Sequence, residues 1–62
     1  MASMKEIITG LIEVSIRFGD EVEKQEWLQE FTTFETTLLI DEELVTERED
    51  CYCINMINLA EI

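Results

Sequence analysis

Sixty-two residues limit the chain to one domain, and a chain of that size buries only about 60% of its unfolded surface, so a disulfide, a metal or a partner copy commonly supplements its core. Fifteen Asp and Glu against four Lys and Arg leave a formal net charge of −11, which argues against direct binding to nucleic acid, where basic side chains neutralise phosphates, and against an anionic membrane surface. A hydrophobic share of 47% belongs to a globular domain rather than to a disordered tail.

No run approaches the ~20 apolar residues of a membrane span, and no signal peptide opens the chain. Two cysteines, Cys51 and Cys53, without a secretion signal point to a reducing cytoplasm. Met1-Ala2-Ser3 precedes a second methionine, so residues 1–4 read as a disordered leader to a single acidic domain.

In chain order, Ile8–Phe18 alternates apolar or small residues (Ile8, Gly10, Ile12, Val14, Ile16, Phe18) with a more polar set. A period of two predicts a long, half-buried strand, beginning near Glu6, with Gly10 marking a bulge or close approach. Ile7 and Leu11 fall on its second face.

Gly19 breaks this element, and Asp20 with Glu23 three residues later forms a capping-box pattern that predicts a helix from Val22 to about Phe31–Phe34. On that helix Trp27, Leu28, Phe31 and Phe34 share an arc of about 120°, and the Trp27, Phe31 and Phe34 group reads as core. Lys24 falls inside the same arc and must snorkel out. Glu23, Glu26 and Glu30 line up beside it.

β-Branched pairs Thr32-Thr33 and Thr36-Thr37 oppose more helix, and Thr33–Ile40 reads as a second strand. Asp41–Glu43 reads as a polar turn, or as the cap of a short helical turn carrying Leu44 and Val45, and Glu47–Asp50 as a charged connection. Cys51–Leu59, apolar on both faces, reads as a third strand, central or at an interface. The tail 60–62 is expected to fray unless Ile62 docks on a partner.

The fold class this predicts is α+β: a small β-α-β-β domain, its three-stranded sheet covered by one helix on one face. A second copy on the bare face or strand edge, meeting Ile7, Leu11, Cys53 and Ile57, would complete the core as a homodimer.

The chemistry is narrowed by what is missing. Without histidine there is no imidazole base and no Ser–His or Cys–His pair, and no enzyme is expected. Cys51-x-Cys53 lacks zinc-knuckle spacing, is poorly placed for an internal disulfide, and reads as two small buried hydrophobes. Asp41-Glu42-Glu43 lacks the calcium-loop pattern. No metal or cofactor is expected.

What remains is the charge. A rigid row of carboxylates can mimic nucleic acid in a groove built for phosphates. Glu23, Glu26 and Glu30 form one such row, with Glu21 and Glu35 nearby; Glu42, Glu43 and Glu47, with Asp41, Glu49 and Asp50, form another. The partner this implies is a basic protein, a nucleic-acid-binding enzyme or defence factor, drawn in by the long-range field. In size, acidity and lack of catalytic residues the chain resembles the inhibitors that phages encode against host defence enzymes, anti-CRISPR proteins among them. This resemblance is one of class and carries no residue over. It implies a non-catalytic inhibitor. The other reading is a structural assembly subunit whose acidity serves solubility alone.

Overall fold

The computed structural model describes residues 3–61. The Ser3 hydroxyl accepts the Glu6 N–H at 3.3 Å and caps helix α1, Met4–Phe18. Two residues assigned to a leader are thus a helix cap and a first helical residue. Met1, Ala2 and Ile62, with the expectations attached to them, lie outside the described residues.

The predicted first strand is therefore a helix. Ile7, Leu11 and Val14 are buried at spacings of four and three, the period of a helix face. The even-numbered set that suggested a strand is largely outside: Ile12 and Phe18 are exposed, and Ile16 is 80% exposed. Both periods are written into one stretch because its apolar residues outnumber those one face can hold. Tertiary burial of the 3.6-period set decides between them. Gly10 marks no bulge; it is a mid-helix residue beside the Phe31 ring. Gly19 ends α1 at a positive φ of 81°, a conformation glycine adopts without strain.

Strand β1, Glu21–Glu23, follows at once. Asp20 is therefore no helix cap; its carbonyl accepts the Ile54 N–H at 2.7 Å. Helix α2 is shorter than predicted, Lys24–Glu30, with Glu23 at the N-cap and no side-chain capping bond. The capping box lies further on. Thr32 and Glu35 exchange bonds, Oγ1 accepting the Glu35 N–H at 3.1 Å and Oε1 accepting the Thr32 N–H at 2.9 Å. They start helix α3, Thr33–Asp41, where a second strand was predicted. The reciprocal cap offsets the helix reluctance of the threonines.

Glu42 and Glu43 form the exit from α3, and Val45–Glu47 is strand β2, not part of a helical turn. Strand β3 is Cys51–Ile54. The predicted third strand stops there because Asn55 accepts the Asn58 N–H and caps helix α4, Met56–Ala60. The element order is α-β-α-α-β-β-α rather than β-α-β-β. The fold is a small α+β domain with a three-stranded antiparallel sheet, ordered β1-β3-β2, and four helices among the described residues.

Register assigns the two faces of the sheet. Val22 pairs with Tyr52, Val45 with Ile54 and Glu47 with Tyr52; directly paired residues share a face. Val22, Tyr52, Ile54 and Val45 are buried with Ile7, Leu11, Trp27, Phe31 and Leu39 in one cluster. The opposite face carries Glu21, Glu23 and Thr46, all exposed, beside half-buried Cys51 and Cys53. Trp27 and Phe31 are core as predicted, but Phe34 is exposed, because α2 ends before it can join that face; Leu28, within α2, is exposed as well.

The expected dimer contact is not one surface. Ile7 and Leu11 lie inside the chain's own core, where no second copy can reach them. Cys53 is on the open sheet face and Ile57 on α4, 75% exposed. The apolar helix face that was assigned to a mate is used by the chain itself. Its radius of gyration of 10.3 Å matches the roughly 10.6 Å of an ordinary folded chain this long.

Candidate functional site

The most organised polar feature joins the start of α2 to the end of β2. Glu47, Tyr52 and Val22 form a row across the sheet. Lys24, two residues past Val22, lies over the Tyr52 ring at 5.4 Å from its centroid and donates from Nζ to Glu47 Oε2 at 3.0 Å. The snorkelling expected of Lys24 thus ends on a carboxylate. That hydrogen bond, aided by the nearby negative charge, raises the Lys24 pKa above its usual 10.5, outweighing the opposing effect of desolvation.

Two hollows flank this bridge. On one side Glu23, Lys24, Gln25, Glu49 and Asp50 line an open groove of about 430 Å³. The β2–β3 turn brings Glu49 and Asp50 there, since the Asp50 carbonyl accepts the Lys24 N–H at 3.4 Å. On the other side lies a smaller hollow of about 200 Å³ between α2 and α3, with Glu47 and Tyr52 in its lining. Tyr52 stands against Trp27, ring centroids 4.9 Å apart, and Trp27 stands against Phe31 at 4.5 Å. The aromatic stack fixes the tyrosine's position.

The six carboxylates predicted as partner-binding are all exposed and sit in several local settings. Glu23 lines the open groove and Glu47 holds Lys24. Glu26 is exposed on α2. Glu30 bonds Arg17 of α1, and the guanidinium also covers the Phe18 ring, so Glu30 is neutralised by a neighbour. Glu42 and Glu43 belong to the exit of α3, where Asn58 Nδ2 donates to the Glu43 carbonyl at 2.9 Å. Glu49 and Asp50, grouped with Asp41–Glu43 in the sequence, join Glu23 instead. Tyr52 was read only as a strand residue; a phenol alternating with Ile54 on a buried face was the available signal, because a buried hydroxyl needs a partner.

Among the described residues no group of three or more Cys, Asp or Glu is arranged to hold a metal ion, and no helix is long and apolar enough to cross a membrane. No family model, curated protein or solved structure matches the chain.

Proposed function

We propose that the protein is a non-catalytic acidic module that binds and inhibits a larger basic, nucleic-acid-handling protein, in the manner of phage-encoded anti-defence inhibitors. The supporting observation is the convergence of Glu23, Glu49 and Asp50 on one open groove. Every described Asp and Glu except Glu35 is exposed. Of the four basic residues, Arg17 and Lys24 are already engaged by Glu30 and Glu47. The remaining surface field is negative, and it attracts and orients a positively charged groove. Carboxylates held at a strand end and a hairpin turn present fixed negative charge to side chains that would otherwise grip phosphates.

The test is a double charge reversal, Glu23→Lys with Glu49→Lys. Both side chains are exposed, so the fold is retained. Wild-type protein immobilised on a column is expected to retain a basic nucleic-acid-handling enzyme at low ionic strength, release it as salt rises, and block its binding to DNA. The double variant is expected to do neither. Equal retention by both proteins, insensitive to salt, would dismiss the reading.

A second reading is favoured by a separate observation. Ser15 Oγ lies 3.0 Å from Met56 Sδ, which sets α4 beside α1 where Ile12, Ile16 and Ile57 are exposed. This apolar surface suits a homo-oligomeric assembly subunit. Light scattering separates the readings: a salt-insensitive dimer abolished by Ile16→Glu belongs to the second.

A further inference from the structure

Tyr52 is only 7% exposed, yet among the described residues its hydroxyl makes no hydrogen bond, and no fully enclosed side-chain polar atom is left unpaired. The hydroxyl therefore keeps some exposure, and Tyr52 lines the hollow of about 200 Å³. Glu47 lines the same hollow and gives only Oε2 to Lys24, so Oε1 has no donor among the described residues. Thr36 Oγ1 accepts the Trp27 indole N–H at 2.7 Å and keeps a second lone pair. Leu28 and Ile40 supply apolar walls.

We infer that this hollow receives an arginine side chain presented by the basic protein partner, a reading that rests on the function proposed above. Its volume falls below the ~300 Å³ at which small-molecule pockets begin, and so fits one side chain rather than a cofactor. The lining offers several acceptors and a carboxylate, the complement of a planar guanidinium with five N–H donors. The Leu28 and Ile40 walls take the aliphatic stem. A carboxylate or phosphate group is opposed by Glu47. A lysine reaches fewer of the acceptors because its ammonium is a single point. Lys24 already occupies half of Glu47, so it competes with the incoming cation.

The probe is arginine amide capped at its N-terminus, titrated into isotopically labelled protein and followed by amide chemical shifts. Saturable shifts are expected at Thr33, Thr36, Thr37 and Tyr52. Capped citrulline amide, its neutral isostere, is expected to bind roughly tenfold more weakly, as is the arginine probe to Glu47→Gln. Tyr52→Phe keeps the ring and loses the hydroxyl, so weaker binding is expected there too, while Lys24→Met should bind more tightly. Shifts that never saturate, that spread evenly to Glu23, Glu49 and Asp50, or that persist unchanged in Glu47→Gln would overturn the inference. The column experiment keeps the two proposals apart. Retention lost in Glu23→Lys/Glu49→Lys but unaffected by Glu47→Gln removes the arginine site alone. Seating of the probe without salt-sensitive retention removes the partner alone.

Discussion

The indole N–H of Trp27 donates to Thr36 Oγ1 at 2.7 Å, joining α2 to α3 through two buried side chains. Thr36→Val keeps the shape and deletes the acceptor, leaving the indole N–H unpaired in the core. Such a loss costs about 1–3 kcal/mol, a large part of what so small a domain has. Urea unfolding is expected to show that loss for Thr36→Val and near wild-type stability for Thr36→Ser, which restores the hydroxyl. Equal stability of all three proteins would mean that the bond is not formed in solution.

The exit of α3 stores a different kind of cost. Glu43 N–H donates to the Ile40 carbonyl and Leu44 N–H to the Leu39 carbonyl, each at 3.0 Å. These are the paired bonds of a Schellman cap, with Leu39 and Leu44 both buried as its apolar contact. The left-handed position of that cap usually belongs to glycine, but Glu43 fills it at φ 60°. Its carboxylate, with those of Asp41 and Glu42, also sits at the negative end of the helix dipole. Glu43→Gly is expected to raise stability by about 1 kcal/mol, read as a higher urea midpoint. A lower midpoint would show that the glutamate side chain makes a stabilising contact.

Gly10 lies in the interior of α1, and a β-carbon built there would meet the Phe31 ring at 3.5 Å, ordinary van der Waals distance. Alanine therefore fits and removes the helix penalty of glycine, about 0.5–1 kcal/mol. Gly10→Ala is expected to raise the melting temperature by several degrees, given roughly 4–8 °C per kcal/mol in domains of this size. Gly10→Leu extends into Phe31 and is expected to lower it.

These residues also show how much of the fold was legible in the sequence. The α+β class and the buried Trp27 and Phe31 were readable, since aromatic mass must go inside in so short a chain. The type of the first element was not. Ile7–Phe18 carries apolar residues at both a period of two and a period of 3.6, and only burial distinguishes them. Around Thr32 the capping-box pattern Thr-x-x-Glu was present in the sequence, but β-branched composition pointed the other way. Short strands such as Val45–Glu47 have too few residues to show any period. For the site, the acidity was evident from counting, but its grouping was not. Glu49 and Asp50 meet Glu23 through a hairpin turn, and Glu30 meets Arg17 through the α1–α2 contact; both are long-range relations that spacing along the chain cannot express.

Lys24 and Glu47 provide the last prediction, because their bridge has a definite pH signature. Bonding to Glu47 raises the Lys24 pKa in the folded protein above the ordinary 10.5. The folded state therefore holds this proton more tightly than the unfolded state. By linkage the contribution is fully present below pH 10.5 and is lost as pH rises through the higher folded value. Glu47 is exposed at 53% and Lys24 half-buried at 32%, so solvent reaches the pair and its contribution is small and screened by salt. Lys24→Met retains the stem over Tyr52 and removes the ammonium. Its urea midpoint is expected to lie below wild type at neutral pH in low salt, to approach wild type in high salt, and to meet it above pH 10.5. A difference that persists undiminished into strong alkali would assign the effect to packing of the stem on the Tyr52 ring, and the bridge would then be an accessory of that contact.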